Sequence, residues 1–164
     1  MATTAFKGTP VHTNGDLPAT GEAAPDFELV GVDLGSKTLK DFAGKKKILN
    51  VFPSLDTAVC ATSVRTFHQK AASKPGLVVL NISADLPFAS KRFCGAEGIE
   101  NATTLSTFRS DFPRKYGLEI STGPLKGLCS RAVIVLDEND EVVYTEQVPE
   151  ITQEPDYDKA LANV

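Results

Sequence analysis

Two short apolar runs, residues 48–52 and 77–82, constrain this chain more than any other feature. Each is five or six residues of mostly aliphatic type, bounded by lysines, prolines or glycine. Such runs suit strands covered on both faces, as happens where helices cross over a sheet. A helical pattern follows each one. Residues 57–72 carry Val64, Phe67 and Ala71 at helical spacing. Asp85, Leu86 and Pro87 open a second helix through a cap and an early proline, and that helix is expected to end near Gly95 or Gly98. A strand near 103–105 and a short helix near 111–116 come next. Residues 132–136 and 141–145 then read as an antiparallel hairpin about the acidic turn 137–140, before a closing helix at 155–162.

The first thirty residues are rich in turn formers. Asn14-Gly15 is a hairpin-type signal, Pro10, Pro18 and Pro25 are breakers, and short strands are expected around residues 6–7, 10–13 and 27–29. Lys45, Lys46 and Lys47 read as a solvated turn entering the strand that stops at Pro53. Nothing repeats and no long linker divides the 164 residues, so one domain over 1–164 is expected. Alternating buried strands and helices, then a hairpin and a helix, predict an α/β fold. Its form is a mixed central β-sheet with helices on both faces and extra strands at the front, of the thioredoxin type.

Composition removes several functions. Seventeen Lys plus Arg against 21 Asp plus Glu give a net charge of −4 without a basic block, a poor basis for nucleic-acid binding. No apolar run approaches a bilayer span, and residues 1–8 show no apolar core of a signal peptide, so a soluble cytoplasmic protein is expected. Three scattered cysteines, Cys60, Cys94 and Cys129, do not resemble a disulfide framework. Paired ligands at zinc spacing are missing, and the acidic turn at 137–141 lacks the glycine and distal glutamate of a calcium loop. No metal or organic cofactor is expected.

The remaining chemistry lies between Phe52 and Cys60. The chain leaves a buried strand, turns through Pro53, Ser54 and Asp56, and enters a helix with Asp56 or Thr57 as N-cap. Cys60 then falls in the first helical turn, where free N–H groups and the positive end of the helix dipole favour a thiolate. The Thr57 hydroxyl can reach the same turn. Taken alone, this placement suits a core-filling Cys60 with a capping Thr57 as well as it suits a reactive pair.

The pattern Pro53-x-x-x-Thr57-x-x-Cys60 resembles the active-site motif of the peroxiredoxins. The stretches 50–60, 82–89, 92–96 and 123–128, together with Arg131, closely resemble the bacterial thiol peroxidase branch, classed as atypical 2-Cys peroxiredoxins. The resemblance runs from about Pro10 to Ala162. It implies a thioredoxin-type fold and thiol-dependent reduction of hydrogen peroxide and organic hydroperoxides. It further implies Cys60 as the peroxidatic cysteine, Cys94 as the resolving one, Thr57 and Arg131 as activating groups, and Pro53 as a shield over the sulfur. Thioredoxin as reductant and a homodimer are implied in the same way.

Magnitudes limit what ionisation alone can do. At an ordinary thiol pKa of about 8.5, ~3% is ionised at pH 7, so complete ionisation gains at most roughly 30-fold. Further acceleration requires donors on the breaking O–O bond. Arg131 suits that task, being permanently charged with several donors in one plane. A cysteine hydrolase would need a nearby base, and His68 lies about 12 Å along the helix from Cys60 at 1.5 Å per residue. A thioredoxin-like disulfide oxidoreductase, the alternative reading, would need a second cysteine where Ser63 stands. Cys94, directly before Gly95, is expected near a helix C-terminus, where the dipole disfavours a thiolate. That contrast by itself names Cys60 as attacker and Cys94 as resolver. The reduced fold is expected to hold the two thiols apart, so that an intramolecular bond requires local unwinding. Cys129 departs from the two-thiol pattern and is expected to be a semi-buried bystander.

Overall fold

A computed structural model describes residues 2–99 and 102–164. The chain begins with a separate hairpin, β1 (Thr3–Phe6) and β2 (Thr9–His12), paired antiparallel. Its turn is Lys7-Gly8, both with positive φ (51° and 82°), the twist that two-residue hairpin loops favour. Asn14-Gly15, the stronger turn dipeptide by composition, is not that turn. The Asn14 side chain instead accepts the Glu119 N–H and donates to the Arg114 carbonyl, each at 3.0 Å, lashing the front of the chain to a distant loop.

Seven strands form the main sheet. They are β3 (Leu29–Val30), β4 (Ser36–Lys37), β5 (Lys46–Val51), β6 (Leu77–Ser83), β7 (Thr103–Ser106), β8 (Ala132–Leu136) and β9 (Val142–Gln147). Their spatial order is β4-β3-β7-β6-β5-β8-β9. The central pairs β5–β6 and β6–β7 are parallel, the outer ones antiparallel. The helices are α1 (Ala58–Ala71), α2 (Pro87–Glu97), α3 (Phe112–Lys115) and α4 (Tyr157–Leu161), with a 3-10 turn at Leu39–Phe42.

Alternation along the central strands explains the two layers. Leu49, Val51, Leu80, Ile82 and Ile134 share one core with Phe112 of α3 and Tyr116 just after it. Ile48, Val133 and Val135 point the other way, against Phe67 of α1 and Ala160 and Leu161 of α4. Each such side chain contributes roughly 1.5–3 kcal/mol on burial. This is the mixed α/β sheet with helices on both faces and an N-terminal hairpin that the strand and helix pattern implied.

Several local expectations are corrected. Lys46 and Lys47 lie inside β5, and Lys47 is fully buried, its ammonium paired with Asp140 and donating to the Lys45 carbonyl. The β8–β9 turn supplies that carboxylate, so the lysine can enter the sheet without leaving an uncompensated buried charge. The strand expected at 27–29 is the two-residue β3, and β4 is too short to leave a periodic signal. The Asp85 carboxylate does not cap α2. Leu86 occupies that position without a side-chain cap, while Pro87 starts the helix and Gly98 ends it in the left-handed conformation (φ 64°).

Candidate active site

β5 delivers the chain to the site. Beyond Val51 it passes through buried Phe52 and Pro53, bends at Ser54–Asp56, and enters α1 with Thr57 at the N-cap position. The Thr57 hydroxyl donates to the Ser54 carbonyl at 3.1 Å, closing the loop on itself instead of bonding the sulfur. Cys60 is the third residue of α1 and is fully buried in a cluster with Phe52, Leu55, Val64 and Phe93.

Arg131 immediately precedes β8 and is 2% exposed. Its Nε donates to the Ile151 carbonyl at 2.7 Å and one Nη to the Cys60 sulfur at 3.1 Å. The other Nη is buried and has no partner among the described residues. The guanidinium is thus fixed at two points and keeps a third donor free. A cation directly on sulfur binds it most strongly when the sulfur carries negative charge.

Arg131 also forms part of the wall of a cavity of about 500 Å³. Pro53, Thr57 and Val59 line one side, and Phe6, Leu125 and Ile151 come from the hairpin, a loop and the segment after β9. The opening is largely apolar; Arg131 lines it, and the buried Cys60 sulfur is joined to it through the Arg131 hydrogen bond. Pro53, Thr57, Cys60 and Arg131 are therefore brought together.

Cys94 is elsewhere. It lies in the last turn of α2, half-buried at the edge of the cluster that encloses Cys60, and its carbonyl accepts the Ile99 N–H at 3.0 Å. Burial pushes its thiol above the ordinary range. Cys60 and Cys94 are both free thiols. Cys129 is fully buried, not semi-buried as expected. It packs in the core shared with Leu49 and Phe112, where burial pushes its thiol up to about 12 despite a hydrogen bond with Thr107.

Three supports of the site were not assigned to it from the sequence. The Ile151 carbonyl orients Arg131 from a segment 20 residues later. Ser63, weighed only as a missing cysteine, donates to the Cys60 carbonyl at 2.8 Å and accepts from Asn50, which also donates to Asn81 at 3.0 Å. This buried polar chain ties the start of α1 to β5 and β6, and the polar residues interrupting two apolar strands were its visible trace. Asp85 supports the loop before α1, through bonds to Ser54 and Leu55.

Among the described residues, no helix is long and apolar enough to cross a membrane. The sequence profile of the redoxin family matches residues 19–161. A thiol peroxidase of Corynebacterium glutamicum is 55% identical over 162 residues, covering 99% of this chain and 98% of that protein. The structure is similar to that of a peroxiredoxin-like protein from Aquifex aeolicus (TM-score 0.93, 40% identity, 99% and 95% of the two chains). It is also similar to a thiol peroxidase from Chromobacterium violaceum (TM-score 0.92, 27% identity, 99% and 95%). Residue pattern, fold and relatives agree: the chain belongs to the redoxin family, among its thiol peroxidases, and is a thiol-dependent peroxidase.

Proposed function

We propose that Cys60 is the peroxidatic thiol, Cys94 resolves it within the same chain, and thioredoxin returns the disulfide to two thiols. The observation that carries this reading is the Arg131 fork, with one Nη on the Cys60 sulfur and the other buried without a partner. A hydroperoxide entering beside Pro53 meets the sulfur and that free donor together. The thiolate attacks the nearer peroxide oxygen, the O–O bond breaks, and charge moves to the farther oxygen, which leaves as water or an alcohol once protonated. The free Nη–H stabilises that oxygen as charge arrives, a preorganised interaction of the kind worth about 10²–10³ in rate. Thr57 braces the loop through the Ser54 carbonyl, and Pro53 screens the sulfur from bulk water.

Cys60 then carries a sulfenic acid. The Cys94 thiol condenses with it, forming an S–S bond and releasing water. The apolar cavity favours organic hydroperoxides alongside hydrogen peroxide, because an alkyl group gains by leaving water. The protein works as a homodimer in the cytoplasm. The disulfide oxidoreductase reading gains nothing from Ser63, whose hydroxyl bonds the Cys60 carbonyl at 2.8 Å. The test is hydroperoxide consumption coupled to thioredoxin and its reductase. Wild type turns over and Cys60→Ser, with an unchanged circular dichroism spectrum, does not. Retained coupled turnover in Cys60→Ser would refute the assignment.

A further inference from the structure

Asp85 lies in the connection between β6 and α2, where a carboxylate would ordinarily cap the helix. Here it faces the other way. Its Oδ1 accepts the Ser54 hydroxyl at 2.8 Å, and its Oδ2 accepts the Leu55 N–H at 2.8 Å and the Ser83 hydroxyl at 2.6 Å. Ser54 in turn accepts the Asp56 N–H at its hydroxyl and both the Thr57 N–H and hydroxyl at its carbonyl. One half-buried carboxylate therefore joins the loop leading into α1 to the root of α2. The neighbouring Arg92–Asp56 pair spans the same gap at 3.4 Å, but both side chains are largely exposed, so it adds little.

We propose that Asp85 is a positioning residue that clamps the loop before Cys60 and sets how often this segment leaves its folded form. The inference rests on the reading of Cys60 as attacker and Cys94 as resolver. Cys60 is enclosed at the start of α1, Cys94 packs at the edge of the same cluster from the last turn of α2, and both are free thiols, so bonding requires the enclosed Cys60 sulfur to leave its place. Opening the first turn of α1 requires loop 53–57 to swing. Asp85 holds that loop to the residue pair preceding the helix that carries Cys94. Movement of either segment loads the same carboxylate.

The clamp consequently divides the sulfenic acid between two fates. While the loop is held, Cys60 stays in its pocket. A second hydroperoxide can then oxidise the sulfenic acid to sulfinic acid, its O–O bond breaking and a second alcohol or water leaving. Once the loop is released, the Cys94 thiol condenses with the sulfenic acid and water leaves. A weaker clamp slows the first oxidation, because the pocket is assembled less often, and diverts more sulfenic acid to the disulfide.

Rapid-quench mass analysis of Cys60 in wild type, Asp85→Asn and Asp85→Ala tests this. Asparagine keeps one carbonyl oxygen for Leu55 and Ser83 and can turn its amide toward the Ser54 hydroxyl, which is able to accept. Alanine removes every bond. Of the three bonds lost, the two to Ser54 and Leu55 hold the loop, and their loss corresponds to about tenfold slower first oxidation in Asp85→Ala, with Asp85→Asn between it and wild type. Under excess hydroperoxide the sulfinic share at Cys60 falls severalfold in the same order. A purely structural role would slow oxidation without protecting Cys60 from overoxidation, so an unchanged or raised sulfinic share overturns the proposal. If Asp85→Ala does not fold, Asp85→Asn carries both readouts. Wild type alone checks the underlying reading: Cys60 that a hydroperoxide does not oxidise refutes both. Oxidation of wild-type Cys60 with unchanged partition in the variants refutes only the clamp.

Discussion

Replacing Arg131 by glutamine would separate the two jobs that the proposed mechanism gives to one guanidinium. The side chain donates to the Ile151 carbonyl and to the Cys60 sulfur, and holds one Nη free beside the cavity. Glutamine keeps a planar head and much of the packing, but loses the charge and cannot reach both acceptors while leaving a further donor free. If Arg131 served only to keep the thiol ionised, the whole loss would vanish once the variant's sulfur was fully ionised, however far burial raises that thiol. Loss of a donor to the leaving oxygen costs a further 10²–10³ or so, and pH does not restore it. The expected result for Arg131→Gln is therefore a deficit that shrinks as pH rises and then levels off at ~10²-fold or more once alkylation shows the variant's own thiol titration to be complete. The chain contains no Trp to report by fluorescence, so quenched alkylation with mass analysis is the suitable assay. Circular dichroism controls for the lost bond to Ile151. A variant that matches wild type at high pH would show that Arg131 acts on ionisation alone.

Two further outcomes are expected. Cys129→Ser should retain coupled turnover near the wild-type rate, and native alkylation at pH 8 should leave Cys129 unmodified, since burial holds its thiol at about 12; a large loss of turnover would place Cys129 in the cycle. Because burial also raises Cys94, its thiolate is scarce at neutral pH, and the condensation step should accelerate as pH climbs through and beyond the usual thiol range. A pH-independent rate of disulfide formation after a hydroperoxide pulse would contradict that.

Local chemistry made some of this legible in sequence and left the rest invisible. Pro53, Asp56 and Thr57 punctuate the exit from one apolar strand, which sufficed to set Cys60 in a first helical turn. Continuous apolar runs likewise exposed β5, β6 and β8. Lys47 was misjudged because its partner, Asp140, is 93 residues away, and only the folded hairpin turn brings the carboxylate to it. Asp85 looked like a helix cap because the donors that claim its carboxylate, the Ser54 hydroxyl and the Leu55 N–H, lie 31 and 30 residues earlier. The cavity had no local signal at all, since Phe6, Leu125 and Ile151 meet only after the hairpin docks on the segment following β9. The hairpin turn fell on Lys7-Gly8 because β1 must present Ala5 to the Pro149 and Ile151 backbone, a tertiary demand that outweighed the dipeptide preference of Asn14-Gly15.

In the proposed cycle, two thiols of one chain exchange roles about an opening helix turn. Treating the reduced protein with one equivalent of hydroperoxide, trapping free thiols by alkylation and mapping the peptides without reduction tests it most directly. The account predicts a single species at monomer mass in which Cys60 and Cys94 are linked and Cys129 is untouched. A covalent dimer, or a Cys60 sulfenic acid that persists with Cys94 free, would contradict it.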